Sequence, residues 1–306
     1  MSNTKKYIKK KKLLKIPPSF AASIIDLVCP RKYSPNTKYS TEDLFVLIVD
    51  FLKSGLYWTN YRGTKDIPLN NGRYLNSIHN KWCKNNVYEK IHKEYLKIYL
   101  KKGKEEKLKT QIIDSSFIQN KGGFVNHQSN IIKENHKGVP QNIIQFNRYN
   151  GRKKYLKVSA ITNSDGAIFS TKIVPGKKSD CVTITETLYN IPIDLNTLKN
   201  SKINRYKQYF LADSIYYSKR NITFLKKRGY IPVIKYNRKN TKDKKIIKAN
   251  KFTKKEQKIY KKRIIIESAF SWLKNFPVIC QNYQKTISSY NGLLKLASII
   301  MLEKKL

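Results

Sequence analysis

Apolar positions recur at helical spacing from Pro17 to about Gly103. Ser40-Thr41-Glu42-Asp43 has the form of a capping box. The helix it opens puts Leu44, Leu47, Ile48, Phe51 and Leu52 on one face and stops at Gly55. A loop with Trp58, Arg62 and Pro68 follows. Two more helical runs come next, one through Tyr74, Leu75, Ile78 and Trp82, the other through Val87, Ile91, Tyr95, Ile98 and Leu100. After the charged stretch Lys101–Lys109 the period shortens towards that of strands. Gln111–Ile118, Tyr155–Ile161 and Ala167–Val174 are expected strands, the last two joined by the hairpin signal Asn163-Ser164-Asp165-Gly166. A helix capped by Ser179 is expected to run to about Tyr189. Then come a short buried strand at Tyr209–Asp213, a helix ending at Gly229, and a strand at Tyr230–Lys235 whose Pro232 suits an edge. A last long helix is expected from about Glu256 to Asn275. Three antiparallel-compatible strands followed by alternating helices and strands make a mixed α/β sheet behind an all-helical region.

These elements imply a basic arm at residues 1–16, a helical N-terminal domain at 17–105 and an α/β domain at 106–306, with a polar insert at about 119–150 that contains His127 and His136. No apolar run follows the basic N-terminus and Asp50 interrupts the longest one, so neither a signal peptide nor a membrane span is expected. Cys29, Cys83, Cys181 and Cys280 lie far apart without a C-x-x-C pair. That spacing suits a reducing, intracellular setting and opposes a disulfide framework or a local zinc site.

The chain of 306 residues carries 63 Lys+Arg against 20 Asp+Glu, a formal charge of +43. A/T-rich codons inflate Lys, but they do not explain so few acids. A folded domain with this surplus repels itself unless a polyanion neutralises it, which points to nucleic acid. No G-x-x-x-x-G-K-[ST] loop occurs, so a nucleotide-driven activity has no support. Trp58, Trp82 and Trp272 are expected to be core anchors, and Cys181 and Cys280 small buried hydrophobes.

With so few acids, their positions carry information. Asp114 follows Ile112-Ile113, and Asp213 ends the run Phe210-Leu211-Ala212. Either one alone is as readily a turn former or helix cap. Glu267 lies in the last helix, where Tyr260, Arg263, Glu267 and Lys274 share a stripe about 60° wide beside the apolar face. An exposed Arg263–Glu267 pair would give the same pattern. Taken together, three acids in a basic chain suit hard divalent cations, and two such ions support phosphodiester transfer.

Tyr260-x2-Arg263-x3-Glu267-x6-Lys274 resembles the Tyr-Arg-Glu-Lys signature of insertion-sequence DDE transposases. Ile113-Asp114-Ser115-Ser116 and Leu211-Ala212-Asp213-Ser214 are similar to that family's two Asp blocks, and the resemblance spans roughly residues 20–300. It implies a ribonuclease-H-like, mixed five-stranded sheet with flanking helices. It also implies a metal-binding catalytic triad of Asp114, Asp213 and Glu267 holding two Mg²⁺ (or Mn²⁺) ions. Tyr260, Arg263 and Lys274 would then lie against DNA. The implied activity is cleavage at the ends of an insertion sequence, followed by transfer of the 3′-hydroxyl into target DNA. The implied partners are double-stranded DNA, as terminal inverted repeats and target, and a second copy of the chain. An inactive or co-opted DNA-binding relative, or a nuclease without strand transfer, are the alternatives. One departure stands out: Ser214-Ile215-Tyr216-Tyr217 follows the second Asp where the family has a Gly-Tyr-type element.

Overall fold

The structure is a computed structural model that describes residues 15–30, 38–101, 103–121, 144–147, 153–176, 178–193, 208–237, 245 and 251–306. The basic arm up to residue 14, His127, His136 and most of the basic stretch at 239–250 lie outside the described residues.

Among the described residues, five helices come first: α1 (Pro18–Val28), α2 (Thr41–Ser54), α3 (Arg73–Lys84), α4 (Val87–Lys101) and α5 (Lys104–Leu108). The capping box is present on α2. Ser40 Oγ accepts from the Asp43 N–H at 3.0 Å, and the Asp43 carboxylate accepts from the Ser40 N–H at 3.0 Å. All five predicted inner-face residues are fully buried. Gly55 ends the helix at φ +71°, a left-handed conformation that favours glycine.

The sheet strands are β1 (Thr110–Asn120), β2 (Ile144–Asn147), β3 (Lys153–Asn163), β4 (Ile168–Val174), β5 (Gln208–Ala212), β6 (Tyr230–Ile234) and β7 (Gln281–Asn282). The five main strands lie in the order β4-β3-β1-β5-β6. The first three are antiparallel to one another, whereas β5 and β6 run parallel to β1. This is the ribonuclease-H-like sheet. The short strands β2 and β7 extend it on either side of the β1–β3 ladder. Pro232 sits on β6, the edge strand, where a missing N–H leaves no ladder bond open.

The remaining helices among the described residues are α6 (Thr183–Tyr189), α7 (Lys219–Lys227), α8 (Lys254–Tyr260), α9 (Ile264–Lys274), α10 (Pro277–Cys280) and α11 (Ile287–Lys305). Two expectations need correction. Ser179 makes no side-chain cap bond; a 3₁₀ turn at Asp180–Val182 precedes α6, and its Asp180 pairs with Lys157 of β3. The expected single helix over 256–275 is two helices, α8 and α9, separated by a 3₁₀ turn at Lys261–Arg263.

Helices cover both faces of the sheet. Thr187 of α6 donates to Ser159 Oγ, which pairs in register with Ser115. Asp114 pairs with Ala160 and so points to the other face, the one on which α9 packs. The last helix, α11, is buried nearly all round between α3, α4 and β4. Its polar residues are paired there, Lys295 with Glu89 at 3.1 Å and Glu303 with the Lys15 and Ile16 N–H groups. Close packing at this helix needs Gly292, since a Cβ at that position would stand 2.4 Å from Cys83 Sγ. Among the described residues, no helix is long and apolar enough to cross a membrane.

Candidate active site

Strand register brings the first two acids together. β1 and β5 are parallel with Ile112 opposite Leu211, so two residues further on Asp114 stands beside Asp213. Side chains alternate along a strand, and both acids therefore leave the sheet on the same side, about one strand spacing apart. β5 stops at Ala212, which opens the sheet at this point.

The two acids are held in the same way. Asp114 Oδ1 accepts from the Ser115 N–H at 2.8 Å, and Asp213 Oδ1 accepts from the Ser214 N–H at 2.7 Å. Each carboxylate is thereby fixed by its own following serine. Asp213 also starts the 3₁₀ turn Ser214–Tyr216. Tyr216, at the end of this turn, is fully buried, and its hydroxyl lies 3.0 Å from Ser115 Oγ. The sequence after Asp213 thus makes a tight turn locked to β1, with Tyr216 as its anchor.

The third acid comes from α9. Arg263 reaches Asp114 Oδ2 at 3.3 Å with one guanidinium nitrogen and Glu267 Oε1 at 3.0 Å with the other. Tyr260 donates to Asp213 Oδ1 at 3.4 Å, and the Lys235 ammonium lies 5.0 Å from the Tyr260 ring centre. Asp114, Asp213, Tyr260, Arg263 and Glu267, from three distant segments, therefore form one cluster, with Lys235 at its margin. The i,i+4 ion pair that is the plainer alternative for this stripe is present, and the same arginine is also the bridge to Asp114. Lys274, seven residues beyond Glu267, is exposed and forms no ion pair among the described residues.

Charge is finely balanced here. Burial pushes the Asp114 carboxyl above its ordinary range. The Ser115 N–H and Arg263 pull it back, and the neighbouring Asp213 and Asp180 raise it further. Burial works against the charged form of Arg263, yet Tyr260, Asp114, Asp213 and Glu267 together hold its pKa above the usual value. Tyr260 is pushed up by burial first and then by Asp213.

Asp180 and Lys157 escaped the sequence reading. Lys157 is 5% exposed in mid-strand and pairs with Asp180 at 3.0 Å. A lysine between Leu156 and Val158 of a strand was the available signal. Cys181 is half-buried rather than a buried hydrophobe, with Asn221 Nδ2 3.3 Å from its sulfur, and Cys280 is half-buried too.

Among the described residues, no three His, Cys, Asp or Glu side chains converge tightly enough to enclose an ion. The donor chemistry nevertheless suits a hard cation. The cluster's acidic oxygens are carboxylates, with no thiol or imidazole among them, and Asp114 is a partly buried acid beside a second acid, so its charge needs a positive partner. Arg263 supplies that partner in this structure.

The family described as Transposase DDE domain matches residues 105–302, well over half of the chain, and the chain belongs to that family. No curated protein matches the chain. Among solved structures, a Mos1 transposase paired-end complex with left transposon end shares 12% identity, covers 78% of this chain and 81% of its own, and gives a TM-score of 0.25. A Mos1 mariner paired-end complex with Mn shares 12%, covers 92% and 82%, and gives 0.26. Overlaps this loose carry no structural argument; the strand order carries it instead.

Proposed function

We propose that this chain is a DNA transposase in which Asp114, Asp213 and Glu267 bind divalent metal, while Arg263, Tyr260 and Lys274 face the DNA. The observation that carries the reading is the bridge at Arg263. One guanidinium, from the turn between α8 and α9, links the acid of a central strand to the acid of α9, and the last residue of α8, Tyr260, reaches the second strand's acid.

Two divalent ions, Mg²⁺ or Mn²⁺, would supply Lewis-acid stabilisation of the attacking and leaving oxygens. The protein's own part is positional. Ser115 and Ser214 fix one oxygen of each strand acid, and Glu267, half-exposed on α9, is tied to Asp114 through Arg263. Arg263 keeps its positive charge at all working pH values and can pass from carboxylate to scissile phosphate when DNA enters. In the first step water attacks phosphorus and the 3′ oxygen leaves. In the second the freed 3′-hydroxyl attacks a phosphodiester of target DNA, and that strand's 3′ oxygen leaves. The helical region 17–105 and the surplus of positive charge would hold the duplex, and a second copy would bring the other end.

The test is cleavage and strand transfer on DNA carrying the element's own terminal repeats. Asp114→Asn, Asp213→Asn and Glu267→Gln are each expected to lower cleavage at least a thousandfold while leaving DNA affinity within about threefold. Full activity in any of these variants overturns the assignment. Cleavage without joining of pre-cut ends would identify a nuclease instead.

A further inference from the structure

A second feature lies away from the acids. Between the 3₁₀ turn at Trp58–Asn60, α3 and the segment after β7 there is a cavity of about 220 Å³. Tyr57, Trp58 and Tyr283 line it with aromatic surface, and Asn76, Asn80 and Lys285 add polar groups. From this arrangement we infer that the cavity receives one unstacked nucleobase of bound DNA. The inference rests on the reading of the chain as a DNA-binding transposase and adds a site to it.

Size is the first argument. The cavity falls below the roughly 300–1,000 Å³ of ordinary small-molecule sites, which suits one planar ring system rather than a whole cofactor. Rigidity is the second. Trp58 stacks on Phe51 of the core with ring centres 3.5 Å apart and an interplanar angle of 11°. Its indole N–H donates to Gln284 Oε1 at 2.9 Å, and Gln284 also accepts from Ser289 at 3.0 Å. Tyr57 and Tyr283 meet edge to face at 4.6 Å, and Tyr57 keeps half of its surface open. Tyr57 and Tyr283 are thereby the stacking surfaces, and Trp58, already packed against Phe51 and His79, forms the wall beside them.

Hydrogen bonding is the third argument. Asn80 Nδ2 donates to the carbonyl and to the side-chain oxygen of Asn76, at 2.9 and 3.1 Å. That leaves Asn80 Oδ1 as an acceptor and Asn76 Nδ2 as a donor, with no partner for either among the described residues. Adjacent donor and acceptor atoms match the edge of a base, adenine above all. Position is the last. β7 pairs with the end of β1 at Gln119 and Asn120, six residues past Asp114 and so roughly 20 Å along the strand. The base taken here belongs to DNA beyond the reacting nucleotide.

Trp58 provides the readout. Full-length protein is titrated with a single-stranded adenine oligonucleotide and with a fully paired duplex, following tryptophan emission and, separately, affinity against salt. The single strand is expected to quench emission saturably, with that signal lost in Trp58→Phe. Tyr57→Ala and Tyr283→Ala should each weaken single-strand binding about 5- to 100-fold with an unchanged salt slope, because stacking releases no counterions. Tyr57 is half-exposed, so its variant tests the idea even if Tyr283→Ala folds poorly. Wild-type single-strand affinity in both Tyr variants, with circular dichroism unchanged, overturns the inference and leaves the transposase reading intact. Failure of the unmodified protein to bind any DNA overturns both.

Discussion

Arg263 is the residue on which the candidate site turns. It is three-quarters buried at its side chain and stands between Asp114 and Glu267, so in metal-free protein it is the counter-charge that opposes the upward push of burial on the Asp114 carboxyl. Removing it leaves a partly buried carboxylate beside a second acid without its counter-charge, a costly arrangement. Arg263→Gln is therefore expected to lower stability by about 1–2 kcal/mol in the presence of a chelator, discounted for the solvent around Glu267. Adding Asp114→Asn to that background should restore most of the loss, because the stranded charge is then gone. Denaturant titration of the two single variants and the double variant measures this coupling. Strictly additive losses would show that Arg263 acts through packing alone. Magnesium should raise the midpoint of Arg263→Gln more than that of the unmodified chain. The same residue shows the reach of sequence reasoning. Its spacing to Glu267 was legible as a helical pair, but the bond to Asp114 depends on how α9 lies across the sheet, which no local pattern encodes.

Elements differ in how plainly they announce themselves. α2 carries both its start and its stop in its residues, and β1, β3 and β4 show strand composition around a hairpin turn with Gly166 at φ +78°. α11 does not announce itself. Its residues from Gly292 to Glu303 are buried on every side, so the alternation of apolar and polar positions that marks a surface helix is erased. β7 is two residues long and exists only because β1 offers an edge there. The contact of α3 with α11 holds a titratable group with a definite consequence. His79 is fully buried, with Nδ1 2.7 Å from the Tyr88 hydroxyl and Nε2 3.0 Å from the Ser289 carbonyl. Burial lowers its pKa to about 4, from an ordinary 6.5. Between those values the unfolded chain binds a proton that the folded chain refuses, so stability rises with pH in this window and is lost as pH falls through it. The loss is expected to approach about 3 kcal/mol by pH 4, with buried His92 adding in the same direction. Unfolding free energies between pH 7 and pH 4.5 measure it. A His79→Asn variant should be less stable at pH 7 but show a visibly shallower decline.

At the scale of the whole molecule, the division into a helical region and a sheet is a change of secondary structure, not a break in the core. One continuous apolar cluster runs from Ala21 through the sheet to Leu302. α11 is the reason, since it follows the sheet in sequence yet packs against α3, α4 and β4 together. Polar links cross the same boundary: Lys295 with Glu89, Trp58 with Gln284, and Tyr99 with Asp165 at 2.7 Å. This coupling makes mechanical sense for a protein proposed to grip a duplex with its helices while its acids act on one phosphate. Any slack between the two would misplace the reacting atoms, and an error near 1 Å costs on the order of a hundredfold in rate. The prediction is that the two regions melt together. Calorimetry of the full chain without DNA should show one transition whose calorimetric and van't Hoff enthalpies agree. Deleting residues 287–306 should abolish cooperative unfolding of both regions, because it strips the apolar faces of α3 and α4 as well as covering lost from β4. Two resolved transitions in the full chain, or a helical region that melts cooperatively after that deletion, would show that the shared core does not bind the halves into one unit.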